Sequence, residues 1–205
     1  MKNLLINVHG FLSSHESEKI NDLRQCIIDN FKSIDFISPK LPNTPELAVE
    51  LIQKIITEKR NDYDAIGLVG HSLGGYFSTY IASNNNIKAV LVNPVVRGYE
   101  IMCEFFGECH NPHTNEVFEI NEQDIEYLLS INIETIADKG RFLLMLQMGD
   151  EILDPKDALA YYQGCTTIME QGGNHDFVGL SNHTKSMVNF LFSEHAEEIT
   201  LERFR

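Results

Sequence analysis

Short apolar runs that alternate with segments of helical period constrain this chain more than any other feature of its sequence. Leu4-Leu5-Ile6-Asn7-Val8 is nearly continuous in apolar residues and stops at Gly10, the pattern of a strand buried on both faces. From Ser14 to Phe31 the apolar residues Ile20, Leu23, Ile27 and Phe31 recur at helical spacing with polar residues between them. Phe36-Ile37-Ser38 is a second candidate strand, closed by Pro39 and Pro42, and Thr44-Pro45 reads as the N-cap and first position of a helix reaching about Lys59. The pattern repeats with a strand over Asp64 to Val69, a small-residue helix over Leu73 to Ser83, and a strand over Ile87 to Val92 that Pro94 ends. Phe142 to Met148 and Thr166 to Met169 supply further strands, each followed by a helical segment, Pro155 to Tyr162 and Asp176 to Phe192. Strands separated by helices in this way predict an α/β fold, a mostly parallel sheet with helices on both faces.

The rhythm breaks once. Between Arg97 and Asp138 there is no strongly apolar strand, only aromatic residues (Tyr99, Phe105, Phe106, Phe118, Tyr127) at loose helical spacing among charges. Residues 98–138 are therefore expected to form a small cap insertion over the sheet, its aromatics serving as packing rather than as an acyl pocket. No repeat, low-complexity tract or Gly/Ser linker interrupts the chain, so residues 1–205 are expected to form a single domain.

Composition narrows the partners. With 30 acidic and 16 basic residues the formal charge is −14, which repels nucleic acid and anionic membranes. The apolar run near the N-terminus falls far short of the roughly 18 residues of a membrane span, and no signal-peptide layout is visible, so a cytoplasmic location is expected. The four cysteines, Cys26, Cys103, Cys109 and Cys165, form no C-x-x-C pair and are expected to remain reduced thiols. Cys103, Cys109, His110 and His113 are residue types that bind zinc, but their spacing fits no familiar finger and the adjacent Cys109 and His110 are badly placed to face one ion. A plain loop is the preferred reading there, with no metal.

The chemistry lies in the turns after the strands. Gly70-His71-Ser72-Leu73-Gly74 fits G-x-S-x-G and sits between an apolar strand and a helix, where that motif presents its serine on a sharp turn above the strand ends. A serine hydroxyl is a weak nucleophile until a base takes its proton, so a histidine and an orienting carboxylate are needed on later strand ends. Both are present in the expected chain order: Asp150 follows the strand ending at Gln147, and Gly172-Gly173-Asn174-His175 follows the strand ending near Met169. Glu151 and Asp154 compete for the carboxylate role, yet Asp154 precedes Pro155 and reads as an N-cap, so Asp150 is preferred. After the first strand, His9-Gly10-Phe11 offers a loop whose Phe11 N–H can join that of Leu73 in an oxyanion hole.

Together, His9-Gly10-Phe11-Leu12-Ser13-Ser14, Gly70 to Tyr76, Asn93-Pro94, Gly149 to Asp154 and Gly173 to Phe177 resemble the small bacterial YqiA/YcfP-like esterases of the α/β-hydrolase superfamily. The resemblance implies an α/β-hydrolase fold and a carboxylic ester or thioester hydrolase acting on a small-molecule substrate, without metal or organic cofactor. It also implies triad roles for Ser72, Asp150 and His175 and oxyanion roles for the Phe11 and Leu73 N–H groups. A thioesterase acting on acyl-coenzyme A and a ligand-binding protein without catalysis are the alternatives.

Overall fold

The structure, a computed structural model, describes residues 2–193. In chain order its elements are β1 (Asn3–Val8), α1 (Glu18–Asn30), β2 (Ile34–Ile37), α2 (Pro45–Lys59), β3 (Ile66–His71), α3 (Leu73–Asn85), β4 (Lys88–Val92), α4 (Gly98–Cys103), β5 (Gly107–His110), β6 (Val117–Ile120), α5 (Glu122–Ser130), β7 (Phe142–Gln147), α6 (Pro155–Tyr161), β8 (Thr166–Glu170) and α7 (Thr184–Phe192). A six-stranded sheet runs in the order β2-β1-β3-β4-β7-β8, with every neighbouring pair parallel.

Alternation along the strands feeds two separate cores. Leu4, Ile6, Val8, Leu68, Leu91 and Leu144 pack on one face with Val49, Ile52 and Ile56 of α2 and Phe77 and Ile81 of α3. Leu5, Val69, Val90, Leu143 and Met145 pack on the other with Leu23 and Ile27 of α1 and Met187 and Leu191 of α7. Strand residues on both faces are shielded from water, which is why the runs read as continuous rather than alternating. The order reverses between β1 and β3: the chain steps outward from β1 to β2, then returns to β3 on the other side of β1. In open parallel sheets such a reversal splays the loops at the carboxyl ends of the strands and leaves a crevice there. The loops after β1 and β3, carrying Phe11 and Ser72, border it.

Several boundaries depart from the sequence expectation. Helix α1 starts at Glu18 rather than Ser14, because the backbone is still extended at Ser17, its N-cap. Strand β2 covers Ile34–Ile37, starting earlier than Phe36. The closing helix starts at Thr184 rather than Asp176; Phe177 and Gly179 take left-handed φ of 61° and 77°, which a continuous helix cannot hold, and a 3-10 turn spans Leu180–His183 first. The segment between Arg97 and Asp138, expected to be an insertion without a strongly apolar strand, contains an antiparallel hairpin, β5 paired with β6, between α4 and α5. These strands alternate exposure with one buried residue each, Cys109 and Ile120, so their apolar content is too low to register as buried strands. Among the described residues no helix is long and apolar enough to cross a membrane.

Candidate active site

Ser72 stands between β3 and α3 with φ 55° and ψ −123°, a conformation that costs a non-glycine residue about 1–3 kcal/mol. The surrounding hydrogen bonds hold it there. Its N–H donates to the Val92 carbonyl (3.1 Å), and its own carbonyl accepts from the N–H groups of Gly75 (2.9 Å) and Val95 (3.1 Å). The glycines of the motif are set by space: a Cβ on Gly74 would sit 2.0 Å from the Val8 carbonyl oxygen, and one on Gly70 would sit 2.4 Å from the Gly74 carbonyl oxygen. Strand and helix can meet this closely only without side chains at those positions.

Three distant turns converge on this serine. His175 Nε2 lies 3.0 Å from Ser72 Oγ, and His175 Nδ1 lies 3.0 and 2.9 Å from the two carboxylate oxygens of Asp150. Asp150 Oδ1 also accepts from the backbone N–H groups of Ile152 and Leu153, both at 2.9 Å. Burial pushes the Asp150 carboxyl up, but its bonds to His175, Leu153 and Ile152 outweigh it and hold the group below the ordinary carboxylate range. Its side chain is 2% exposed, against 16% for His175. Asp154 does not reach the histidine; it caps α6, accepting from the Lys156 N–H at 3.0 Å. Glu151 contacts the histidine's backbone instead, accepting from the His175 N–H at 3.0 Å.

Residues the sequence reading left without a role lock the histidine loop in place. His71 Nε2 donates to the His175 carbonyl (2.8 Å), while Asn93 Nδ2 donates to the carbonyls of Asn174 and His175, each at 3.0 Å. Asn93 Oδ1 accepts from the Gln147 N–H (3.0 Å), tying the loop to the end of β7. Gln147 Oε1 then accepts from the N–H groups of Asn174 (3.1 Å) and Val178 (2.9 Å). Burial, aided by the charge of Lys19, drives the His71 imidazole down to about 3, so it stays a neutral donor. Lys19 itself bonds the Asp176 carbonyl (2.7 Å) and carboxylate (3.2 Å), fastening α1 to the residue after His175. A signal for the two amides was available: Asn93 directly follows the apolar strand β4, Gln147 ends the apolar strand β7, and both are buried at the sheet's carboxyl edge.

On the other side of Ser72, the turn after β1 comes close enough that a Cβ on Gly10 would lie 3.1 Å from the Ser72 Cβ. His9 Nε2 accepts from the Leu41 N–H (3.3 Å), so its Nδ1 is the donor to the Gly10 carbonyl (3.0 Å). Burial lowers the His9 pKa and favours this neutral form. With the Gly10 carbonyl turned to that ring, the N–H of the same trans peptide, that of Phe11, faces away from it. Among the described residues neither the Phe11 nor the Leu73 N–H donates to a protein acceptor. The Phe11 ring is packed edge-on by Phe105 (5.1 Å) and Phe118 (5.8 Å) from the insertion. Phe106, by contrast, is 65% exposed. Cys109 is buried and donates to the Phe105 carbonyl, and no group of three or more metal-ligating side chains occurs among the described residues.

A family model described as "Uncharacterised protein family (UPF0227)" matches residues 4–192. A UPF0227 protein of Vibrio parahaemolyticus is 27% identical over 190 residues, covering 91% of this chain and 98% of the relative. Another from Pasteurella multocida is 26% identical with the same coverage. Among solved structures, Est1E from Butyrivibrio proteoclasticus with bound ferulic acid superposes with a TM-score of 0.74 at 15% identity, covering 92% of this chain and 87% of that one. Mouse alpha/beta hydrolase domain-containing protein 10 gives 0.68 at 17% identity, with 92% and 90% covered. These likenesses establish the α/β-hydrolase fold.

Proposed function

The chain belongs to the UPF0227 family, the YqiA-like group its motifs resemble, and we propose that it is a serine esterase hydrolysing short to medium acyl esters of small molecules. The observation that carries this reading is the unbroken line of hydrogen bonds from Asp150 through His175 to Ser72, all within 3.0 Å. Ser72 Oγ attacks the carbonyl carbon of the ester while His175 Nε2 takes its proton. The negative oxygen of the tetrahedral intermediate rests on the Phe11 and Leu73 N–H groups, each worth roughly 3 kcal/mol to the transition state. Collapse expels the alcohol, which receives the proton held by His175, and leaves Ser72 acylated. Water, activated by the same imidazole, then attacks the acyl-enzyme, releasing the acid and restoring the serine. Asp150 stays ionised throughout and fixes the imidazole tautomer. No metal or cofactor enters any step.

In the same reading residues 98–138 form a cap within a single domain, and the free thiols of Cys26, Cys103, Cys109 and Cys165 suit a reducing compartment such as the cytoplasm. The test is steady-state hydrolysis of p-nitrophenyl acetate and butyrate. Wild-type protein is expected to turn both over, and Ser72→Ala to lose all turnover above background; equal rates for the two proteins would overturn the reading.

A further inference from the structure

At the carboxyl edge of the sheet the buried Gln147 amide has every hydrogen-bonding valence filled. Its Oε1 accepts from the N–H groups of Asn174 and Val178, and its Nε2 donates to the Val178 carbonyl (2.8 Å) and to Glu170 Oε2 (2.8 Å). Three of these four bonds go to the loop that carries His175. The fourth leads back to the sheet, to Glu170, the last residue of β8. Turning the amide over would set its NH2 group against two N–H donors and its oxygen against the Val178 carbonyl, so one orientation is fixed.

An amide tied to the loop alone would follow the loop, because a glutamine side chain is a rotamer-rich arm between its backbone and its amide. The bond to Glu170 pins the far end of that arm to β8. Glu170 is pinned in turn: its Oε1 accepts from Nε2 of His183, the N-cap of α7 (2.9 Å), and the His183 ring packs edge-on against Phe177 (5.7 Å). Main-chain bonds join the same turns. The Met148 N–H donates to the Glu170 carbonyl (2.9 Å) and the Gly149 N–H to the Gly172 carbonyl (2.8 Å), which seats the turn carrying Asp150 on the end of β8. There is no slack between them: a Cβ on Gly149 would lie 2.6 Å from the Gly173 carbonyl oxygen, and one on Gly173 would lie 2.0 Å from Gln147 Oε1. A shift of the amide therefore presses on Gly173, close before His175 in the chain.

We propose that Glu170 is a positioning residue for His175: through the Gln147 amide its carboxylate sets where the imidazole stands between Asp150 and Ser72. The proposal rests on the esterase reading and deepens it. The Glu170 side chain bonds Gln147 and His183, not a member of the triad, so it acts on the chemistry through the amide. The imidazole works in the chemical steps, so a misplaced His175 should lower kcat and leave KM near its wild-type value. The Glu170 side chain is 38% exposed, and its replacement opens no cavity in either core.

The experiment measures kcat and KM on p-nitrophenyl acetate for wild type, Glu170→Leu, Glu170→Gln, Gln147→Ala, and Gln147→Ala combined with Glu170→Leu. Glu170→Leu removes the acceptor and should lower kcat about tenfold, the equivalent of about 1.4 kcal/mol, with KM nearly unchanged. Glu170→Gln keeps an acceptor for Gln147 Nε2 and should recover most of that loss. In the Gln147→Ala background Glu170→Leu should cost nothing further, as expected when one residue acts through the other. If the buried Gln147 variant does not fold, the two Glu170 variants decide the matter alone. Ser72-dependent turnover with equal kcat in wild type and Glu170→Leu, equal losses in the two Glu170 variants, or a loss that adds to that of Gln147→Ala would overturn the positioning role and leave the esterase reading standing. Absence of any Ser72-dependent turnover in wild type would overturn the esterase reading, and the positioning role with it.

Discussion

Around Ser72 the chain is held by its backbone, whereas the insertion between β4 and β7 is held by its side chains. The strained turn at Ser72 is fixed by main-chain bonds to Val92, Gly75 and Val95 and by glycines too close to neighbouring carbonyls to carry a Cβ. The insertion docks through rings on Phe11, an amide on Ser13, a carboxylate on Lys40 and Asn43, and the Tyr76 hydroxyl, which donates to the Leu128 carbonyl at 2.7 Å. Backbone anchoring tolerates almost no substitution and keeps reacting groups in register. Side-chain anchoring can be rewritten one residue at a time, so the insertion can change without disturbing the turn that carries Ser72.

The largest effects should fall on the serine turn. His175→Ala should lower kcat by several orders of magnitude while leaving thermal unfolding close to wild type, and Asp150→Asn should cost on the order of 10⁴-fold, as interdependent triad members do. Gly74→Ala should destabilise by more than about 4 kcal/mol or prevent folding, since its Cβ would meet the Val8 carbonyl at 2.0 Å. Gly107→Ala in the hairpin, with open space around its Cβ but φ of 103°, should cost only about 1–2 kcal/mol of backbone strain. Denaturant unfolding of the two variants measures the contrast directly, and equal costs would break it.

His71 supplies a pH signature for the same region. Its native pKa of about 3 lies below the unfolded value near 6.5, so between those pH values the unfolded state binds the extra proton. Stability should therefore fall by about 1.4 kcal/mol per pH unit from this group as pH drops through that window. His71→Asn should remove that component of the slope, as urea titrations from pH 7 to pH 4 would register; an unchanged slope would mean the imidazole is not held neutral.

Changes in the insertion should be milder and should reach the chemistry through Phe11. Phe118→Ala, which strips one ring from the Phe11 side chain, should lower kcat several-fold more than it alters KM and cost about 2 kcal/mol of stability. Glu116→Gln, at an exposed ion pair, should cost less than about 1 kcal/mol and shrink further in high salt. A loss of kcat from Glu116→Gln as large as that from His175→Ala would erase the distinction between the two regions.

The same division explains what could be read from the sequence. Strands β1, β3, β4 and β7 are buried on both faces and announce themselves as apolar runs, and the residues proposed to carry the chemistry sit in the turns directly after β1, β3, β7 and β8. Ser72, Asp150 and His175 could be singled out for that reason, and the structure puts His175 within hydrogen-bonding distance of both Ser72 and Asp150. Strands β5 and β6 carry one buried residue each and owe their pairing to packing on Phe11 and to polar ties, which leave no periodic trace. The amide clamp of Asn93 and Gln147 joins positions far apart in the chain, and only the parallel register of β4 beside β7 brings them together.

Mapping of the site labelled by a fluorophosphonate tests the central claim most directly. Wild-type protein should gain a single phosphonate adduct on Ser72, found by intact mass and peptide sequencing, with labelling slowed by at least a hundredfold in His175→Ala. An unlabelled wild-type protein, an adduct on another residue, or equal labelling rates in the two proteins would contradict it.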